Sequence, residues 1–244
     1  MGRCSILTRT RLFYWFLPLF LFLISNLLLE YENLDIELAD AIFSWEGYHW
    51  FLRNFWITNN LIHSGGRALV GLLVVLVLLG LASTWIFPTL RHYRPGLIYL
   101  FTVVALSLSL VSLFKHITHI NCPWDLQRYG GNYPYHPLYD AIFSTSGGSC
   151  FPAGHASGGY AWVALYFFCV MYKYQWRRAA LMFGLILGLT FGIAQQLRGA
   201  HFLSHDIWTL CICWYTSLSI YHFFFARMEP LPIEARNLPP PVHG

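Results

Sequence analysis

The sequence predicts an all-α bundle of about six helices that cross a membrane. Three observations predict it. Hydrophobic residues make up 57% of the 244-residue chain and charged residues only 11%, where a soluble domain carries about 25% charged. Six apolar runs approach or reach the roughly 20 residues that a crossing needs. Lys and Arg collect on alternate connections, as they do when one side of a bilayer retains the positive loops.

The runs follow in order. Residues 1–11 are basic, and the apolar run 12–29 continues without a small-residue cleavage site. It therefore reads as an attached first span rather than a cleaved signal. Residues 30–40 are acidic and polar. Trp45, Tyr48, Trp50, Phe51, Phe55 and Trp56 then mix with Arg53, Asn54, Asn59 and Asn60, the pattern of a segment lying at the interface. Residues 68–87 are the second span, 91–95 a short basic turn, and 97–114 the third span. Residues 115–154 form a long polar loop punctuated by Gly130, Gly131, Pro134, Pro137, Gly147 and Gly148. Loops of that length in compact proteins are usually functional. Residues 156–172 are the fourth span, 179–193 and on to about 197 the fifth, and 207–226 the sixth. Residues 1–226 read as one domain without an internal repeat. The Pro-rich residues 227–244 are expected to be disordered.

Arg3, Arg9, Arg11, Arg91, Arg94, Lys173, Arg177, Arg178, Arg227 and Arg236 fall on one side. That side, with both termini, is expected to be cytoplasmic. The opposite face then holds the long loop and the stretches 149–155 and 195–206. Three polar stretches distant in sequence meet there, which is the main sign of a site. The basic residues are scattered rather than patched, so no nucleic-acid partner is expected.

Ser149-Cys150-Phe151-Pro152-Ala153-Gly154-His155 precedes an apolar run. A helix starting there presents the N–H groups of Ala153, Gly154 and His155, a ready anion site. His155 is placed to protonate a leaving oxygen; an incidental His in a turn is the plain alternative. Lys115 ends the third span, where a snorkelling lysine is common. His116, His119, Cys122, Pro123, Trp124 and Asp125 follow it. In the stretch 195–206, Arg198, His201 and His205 would share a helical face, but Gly199 predicts a break that leaves His201 at a turn. Ionisable residues at membrane depth are usually functional. Together the stretches supply cations for phosphate oxygens, Lys115 and Arg198, and a nucleophile, His201. An acid such as Asp206 would fix its tautomer.

These stretches resemble the type 2 phosphatidic acid phosphatase superfamily, which also contains bacterial acid phosphatases and vanadium-dependent haloperoxidases. Its first motif, Lys, six residues, Arg, Pro, reads here Lys115, six residues, Cys122, Pro123. Its second, Pro-Ser-Gly-His, reads Pro152-Ala153-Gly154-His155. Its third, Arg, five residues, His, three residues, Asp, reads Gln195, His201, His205, with Arg198 and Asp206 nearby. The resemblance covers residues 115–208. It implies a bundle of six spans with the site on the periplasmic face of a bacterial inner membrane. It implies a metal-independent lipid phosphatase without a cofactor. His201 would form a phosphohistidine, oriented by Asp206 or His205, and His155 would be the acid. Lys115, Arg198, Ala153, Gly154 and Pro123 would hold the phosphate. Undecaprenyl pyrophosphate, phosphatidylglycerol phosphate, phosphatidic acid and lipid A phosphates are the implied substrate types. A phosphotransferase of the same fold is the near alternative.

Cys122 and Cys150 lie in the outer loop. On an oxidising side they are expected to pair, tying the first motif to the second; two free thiols are the alternative. Trp124, Tyr129, Tyr133, Tyr135 and Tyr139 suit either a headgroup wall or interfacial anchoring. Two other classes remain at this point. His116, His119, His155, His201 and His205 offer zinc ligands, opposed by Lys115 and Arg198 beside them. A channel or transporter would need polar residues within the spans, and the central spans are nearly free of charge.

Overall fold

The computed structural model describes residues 2–142 and 148–225. Gly147 and the predicted disordered tail, 227–244, lie outside the described residues. The described chain is helical, with one isolated bridge between Leu126 and Tyr133. Helix α1 spans Gly2–Tyr31 and α2 spans Leu34–Trp45. A π-helical turn, Ile57–Ser64, runs directly into α3, Gly65–Ile86. Helix α4 is Arg94–Thr118, and α5 is a short helix, Leu138–Ile142, in the long loop. Helices α6, Gly154–Tyr160, and α7, Ala164–Met171, are joined by a 3-10 turn. Helix α8 is Arg177–Leu197 and α9 is Leu203–Phe225.

Within the described residues, each of the six apolar runs is helical over nearly all its length. Among the described residues, four segments are long and apolar enough to cross a membrane: Leu12–Tyr31, Phe51–Ile86, Pro88–Asp125 and Arg177–Leu197. The predicted fourth run, α6 to α7 with its His155, Ser157 and glycines, falls outside that set. The sixth, α9, opens with the buried polar residues Ser204, His205 and Asp206. The lipid-like faces are on the outer helices. Leu72, Val75, Leu76 and Leu79 of α3 and Met182, Ile186 and Leu189 of α8 are exposed.

The centre is α6 with its 3-10 turn, where residues 156–164 are all buried. It lies against α8 at backbone distance. A Cβ on Gly159 would stand 2.3 Å from the Gly188 nitrogen, and one on Gly188 would meet the Tyr160 ring at 2.1 Å. Small residues at helix crossings permit this approach in membrane bundles. The remaining core is Tyr99, Leu100, Val103, Phe167 and Leu218, between α4, α7 and α9.

In the segment read as interfacial, 45–60, Trp45, Tyr48, Phe51, Phe55 and Trp56 are exposed, while Trp50 turns inward. Trp50 and Phe43 pack with Tyr129 and Phe202 in one aromatic cluster. Arg128 of the long loop donates through Nε to Asp40 of α2 at 2.6 Å, and the Tyr129 hydroxyl donates to the same carboxylate at 3.0 Å. The loop is thus clamped beneath α2.

Candidate active site

Four chain ends converge at one end of the bundle: the C-termini of α4 and α8 and the N-termini of α6 and α9. Helix α8 stops as the sequence requires. Gly199 has φ +68°, its N–H donates to the Gln196 carbonyl, and the Ala200 N–H donates to the Gln195 carbonyl, both at 2.9 Å. That is the paired closure of a Schellman C-cap, with Gly in the left-handed position. A side chain at 199 would also strike Trp50. The chain then carries His201 inward to a buried position before α9 begins.

Helix α9 begins on an unexpected partner. Asp35 of α2 accepts from the Ser204 N–H at 2.9 Å, so a carboxylate from another helix satisfies the free amides of the first turn. Burial pushes the Asp35 carboxyl up, and the bonds from Ser204 and Leu203 oppose that shift. No sequence signal marked Asp35.

A cleft of about 540 Å³ opens at this end. Lys115, Gly154, His155 and His201 all line it, with His63, Arg67, Trp124, Gln195 and Ala200 among the other walls. Among the described lining residues there is no carboxylate. Lys115 lies across the start of α6: a Cβ at Gly154 would be 3.3 Å from its Nζ. A side chain at 154 would crowd the ammonium. As the first residues of the helix, Gly154 and His155 have N–H groups without intrahelical acceptors. Ala153 differs from the expectation, because its N–H donates to the His205 carbonyl at 3.3 Å. Pro123 is buried at the start of a 3-10 turn, and its neighbour Trp124 faces the cleft.

His201 and His205 meet through Nδ1 at 3.3 Å, and the backbone of Cys150 is within bonding reach of both rings. Burial, then the nearby His205 and Lys115, press the His201 pKa well below the ordinary imidazole value. A neutral ring results at pH 7, with its Nδ1 engaged. Asp206 points elsewhere: its carboxylate accepts from the Gln196 side chain and packs where a Cβ of Gly192 would be.

Arg198 also points away from the cleft. Its Nε donates to the Arg53 carbonyl at 2.9 Å, Nη2 to Asn59 Oδ1 at 2.9 Å and Nη1 to Gln195 Oε1 at 3.3 Å. The guanidinium ties the α8 C-terminus to a 3-10 turn, Phe51–Arg53, and to the π-helical turn before α3. His155 stacks between His63 and Phe191, each at a centroid distance of 4.5 Å, and its Nε2 lies 3.3 Å from the Ile62 carbonyl.

Cys122 and Cys150 form a disulfide across 28 residues, fixing the loop after α4 to the strand of chain before α6. The disulfide also uses two members of the Cys122, Asp125, Cys150 group, the one ligand-like cluster among the described residues. Of the five predicted zinc ligands, His116 and His119 are exposed and do not line the cleft. Of the loop aromatics, Trp124 faces the cleft, Tyr129 and Tyr135 pack beneath α2, and Tyr133 and Tyr139 are exposed.

A family model, the PAP2 superfamily, matches residues 96–229, more than half of the chain and all of the stretch 115–208. No curated protein and no solved structure shows significant similarity to the chain.

Proposed function

The chain belongs to the PAP2 superfamily, and we propose that it is a membrane lipid phosphatase that works through a phosphohistidine on His201. Membership supports a phosphatase or phosphotransferase acting on phosphate esters; the lipid substrate and the mechanism are our reading. One observation carries it. A buried, neutral histidine backed by a second histidine faces a cleft that contains cations and, among its described lining, no carboxylate. Such a cleft favours an anion and disfavours a divalent metal.

In this reading His205 holds Nδ1 of His201, leaving Nε2 to attack phosphorus. Lys115 and the amides at the start of α6 take the phosphate oxygens, where charge develops in transfer. The bond from phosphorus to the lipid oxygen breaks as the bond to Nε2 forms. Nε2 of His155 donates to the Ile62 carbonyl, so His155 acts as an imidazolium beside the bound anion: its second proton, on Nδ1, passes to the leaving oxygen and leaves the ring neutral. Water then attacks the phosphohistidine, His155 takes its proton, and phosphate leaves. Asp206 has no part in the step, and Arg198 acts as a brace.

The setting we propose is six spans: α1, α3, α4, the α6–α7 pair, α8 and α9. Arg91, Arg94, Lys173, Arg177 and Arg178 at the end remote from the cleft argue for a cytoplasmic end there. The cleft then faces the periplasm of a bacterial inner membrane, where a disulfide persists.

The test is phosphate release by the full chain in detergent, with EDTA, from a panel of lipid phosphates and pyrophosphates. Release that survives the chelator supports the reading and selects the substrate. No release from a folded preparation, even with a second lipid offered as phosphate acceptor, would sink it.

A further inference from the structure

We propose that Arg67, at the start of α3, is the guanidinium that grips the substrate phosphate, and that His63 is its positioning residue. The inference rests on the phosphatase reading above.

The cleft needs more than one cation to hold a phosphoryl group, and Lys115 alone supplies a single point charge. Arg198 cannot add to it while its Nε, Nη1 and Nη2 all bond within the protein. Cys122, the residue before Pro123, is consumed in a disulfide. Arg67 lines the cleft with an exposed side chain. A guanidinium has five N–H donors, and among the described residues Arg67 uses one, from Nη2 to His63 Nε2 at 2.7 Å. The other donors are open to a ligand.

Arg67 is also aimed. A guanidinium only donates, so Nε2 of His63 accepts and the ring proton sits on Nδ1. Gln195 Nε2 lies 2.9 Å from that atom, but both are donors in this tautomer, so the two make no hydrogen bond. His63 in turn stacks on His155 at 4.5 Å. His63 thus steers Arg67, and the same imidazole contacts the acid of the reaction. The π-helical turn Ile57–Ser64 carries His63 into α3, and such turns recur at functional sites. Nothing in the sequence stretches 115–125, 149–155 or 195–206 contains this cation.

The experiment uses the full chain in detergent and two readouts: calorimetric binding of orthovanadate, and phosphate release from the lipid that the parent hydrolyses best. Arg67→Ala should lower kcat/KM by about a hundredfold, the usual loss for one transition-state donor, and weaken orthovanadate binding at least about tenfold. Arg67→Lys should recover part of both. His63→Leu should fall towards Arg67→Ala, His63→Gln, which keeps an acceptor, should fall less, and the double variant Arg67→Ala/His63→Leu should be no worse than Arg67→Ala alone. Arg67→Ala and Arg67→Gln that both bind orthovanadate and turn over like the parent would overturn the inference and leave the phosphatase reading standing. Additive losses in the double variant would remove His63 from its positioning role. A folded parent that neither binds orthovanadate nor releases phosphate would overturn both readings together.

Discussion

The cleft has two walls of different origin. One is built from the ends of α4, α6, α8 and α9 and carries Lys115, Gly154, His155 and His201. The other comes from residues 34–67: Asp35 caps α9, Asp40 clamps the loop, Asn59 and Arg53 hold Arg198, and His63 and Arg67 face the cavity. The first wall holds the reacting groups on buried, closely packed helices. The second is more exposed and supplies caps, braces and charge. The difference teaches that nucleophile and acid need rigid burial, whereas the groups that aim them can come from any segment the fold brings near. Variants on the first wall should therefore cost turnover with little stability, and most variants on the second should cost stability with less turnover.

The largest expected effect is His201→Ala. Removing a covalent nucleophile should cut phosphate release by at least about 10³-fold while the melting temperature stays near the parent's. His155→Ala should cost about 10²–10⁴-fold, and less with a substrate whose leaving group needs no proton. Near-normal turnover in His201→Ala would end the proposed division of labour, because the first wall would then carry no chemistry.

Next comes the disulfide, the exception to the first wall's rule, because it braces that wall without a part in the reaction. Closing 28 residues contributes roughly 3–4 kcal/mol in the chain-entropy model. The Cys122→Ser/Cys150→Ser variant should unfold at a visibly lower temperature, and activity should fall with the folded fraction rather than ahead of it. Full labelling of both thiols in the untreated parent would show that the bond is not formed.

The first wall was legible in the sequence because each of its parts is local. A Gly before a helix, a Gly at a helix end and a His two residues later are read from short spacings, and Gly199 does break α8 where expected. The second wall was not legible, because its parts act across the fold. Asp35 and Ser204 are 169 residues apart, and Gln195 and His63 are 132 apart; no spacing rule links such pairs. Arg198 shows the same limit from the other side. Its helical spacing with His201 and His205 suggested a shared face, but the C-cap at Gly199 turns the chain between them. Asp206 is similar: one residue's rotation around α9 aims it at Gln196, while His205 takes the position beside His201.

Helix α2 offers a sharper test of the second wall, because two of its carboxylates titrate in opposite directions. Asp35 is half-buried and its folded pKa is raised, desolvation being the main cause. The fold therefore binds that proton more readily than the unfolded chain does. Stability from this group is full below the ordinary value of about 3.9 and falls as pH climbs through the raised value. Asp35→Asn should flatten that slope while keeping an acceptor for Ser204. Asp35→Ala should lose the cap, at about 1 kcal/mol, and loosen the turn that carries His201. Unfolding midpoints of the three proteins measured from pH 4 to 8 would check both parts; an unchanged slope in Asp35→Asn would show that the group is not titrating there.

The smallest effect belongs to Asp40. Hydrogen bonds from Arg128 hold its carboxyl below the usual range, so its stabilisation is present above about pH 3.9 and is lost as pH falls through the depressed value. Both partners are largely exposed, and pairs of that kind contribute about 0–1 kcal/mol, weakened further by salt. Asp40→Asn should shift the unfolding midpoint slightly at low ionic strength and hardly at all near 1 M salt. Its turnover on a lipid phosphate should match the parent's, because the aromatic cluster of Phe43, Trp50 and Tyr129 still holds the loop beneath α2. A tenfold loss of turnover without a loss of stability would mean that this clamp sets the position of Trp124 and Cys122 in the cleft. The second wall would then govern the chemistry directly, and the boundary between the two walls would have to be drawn elsewhere.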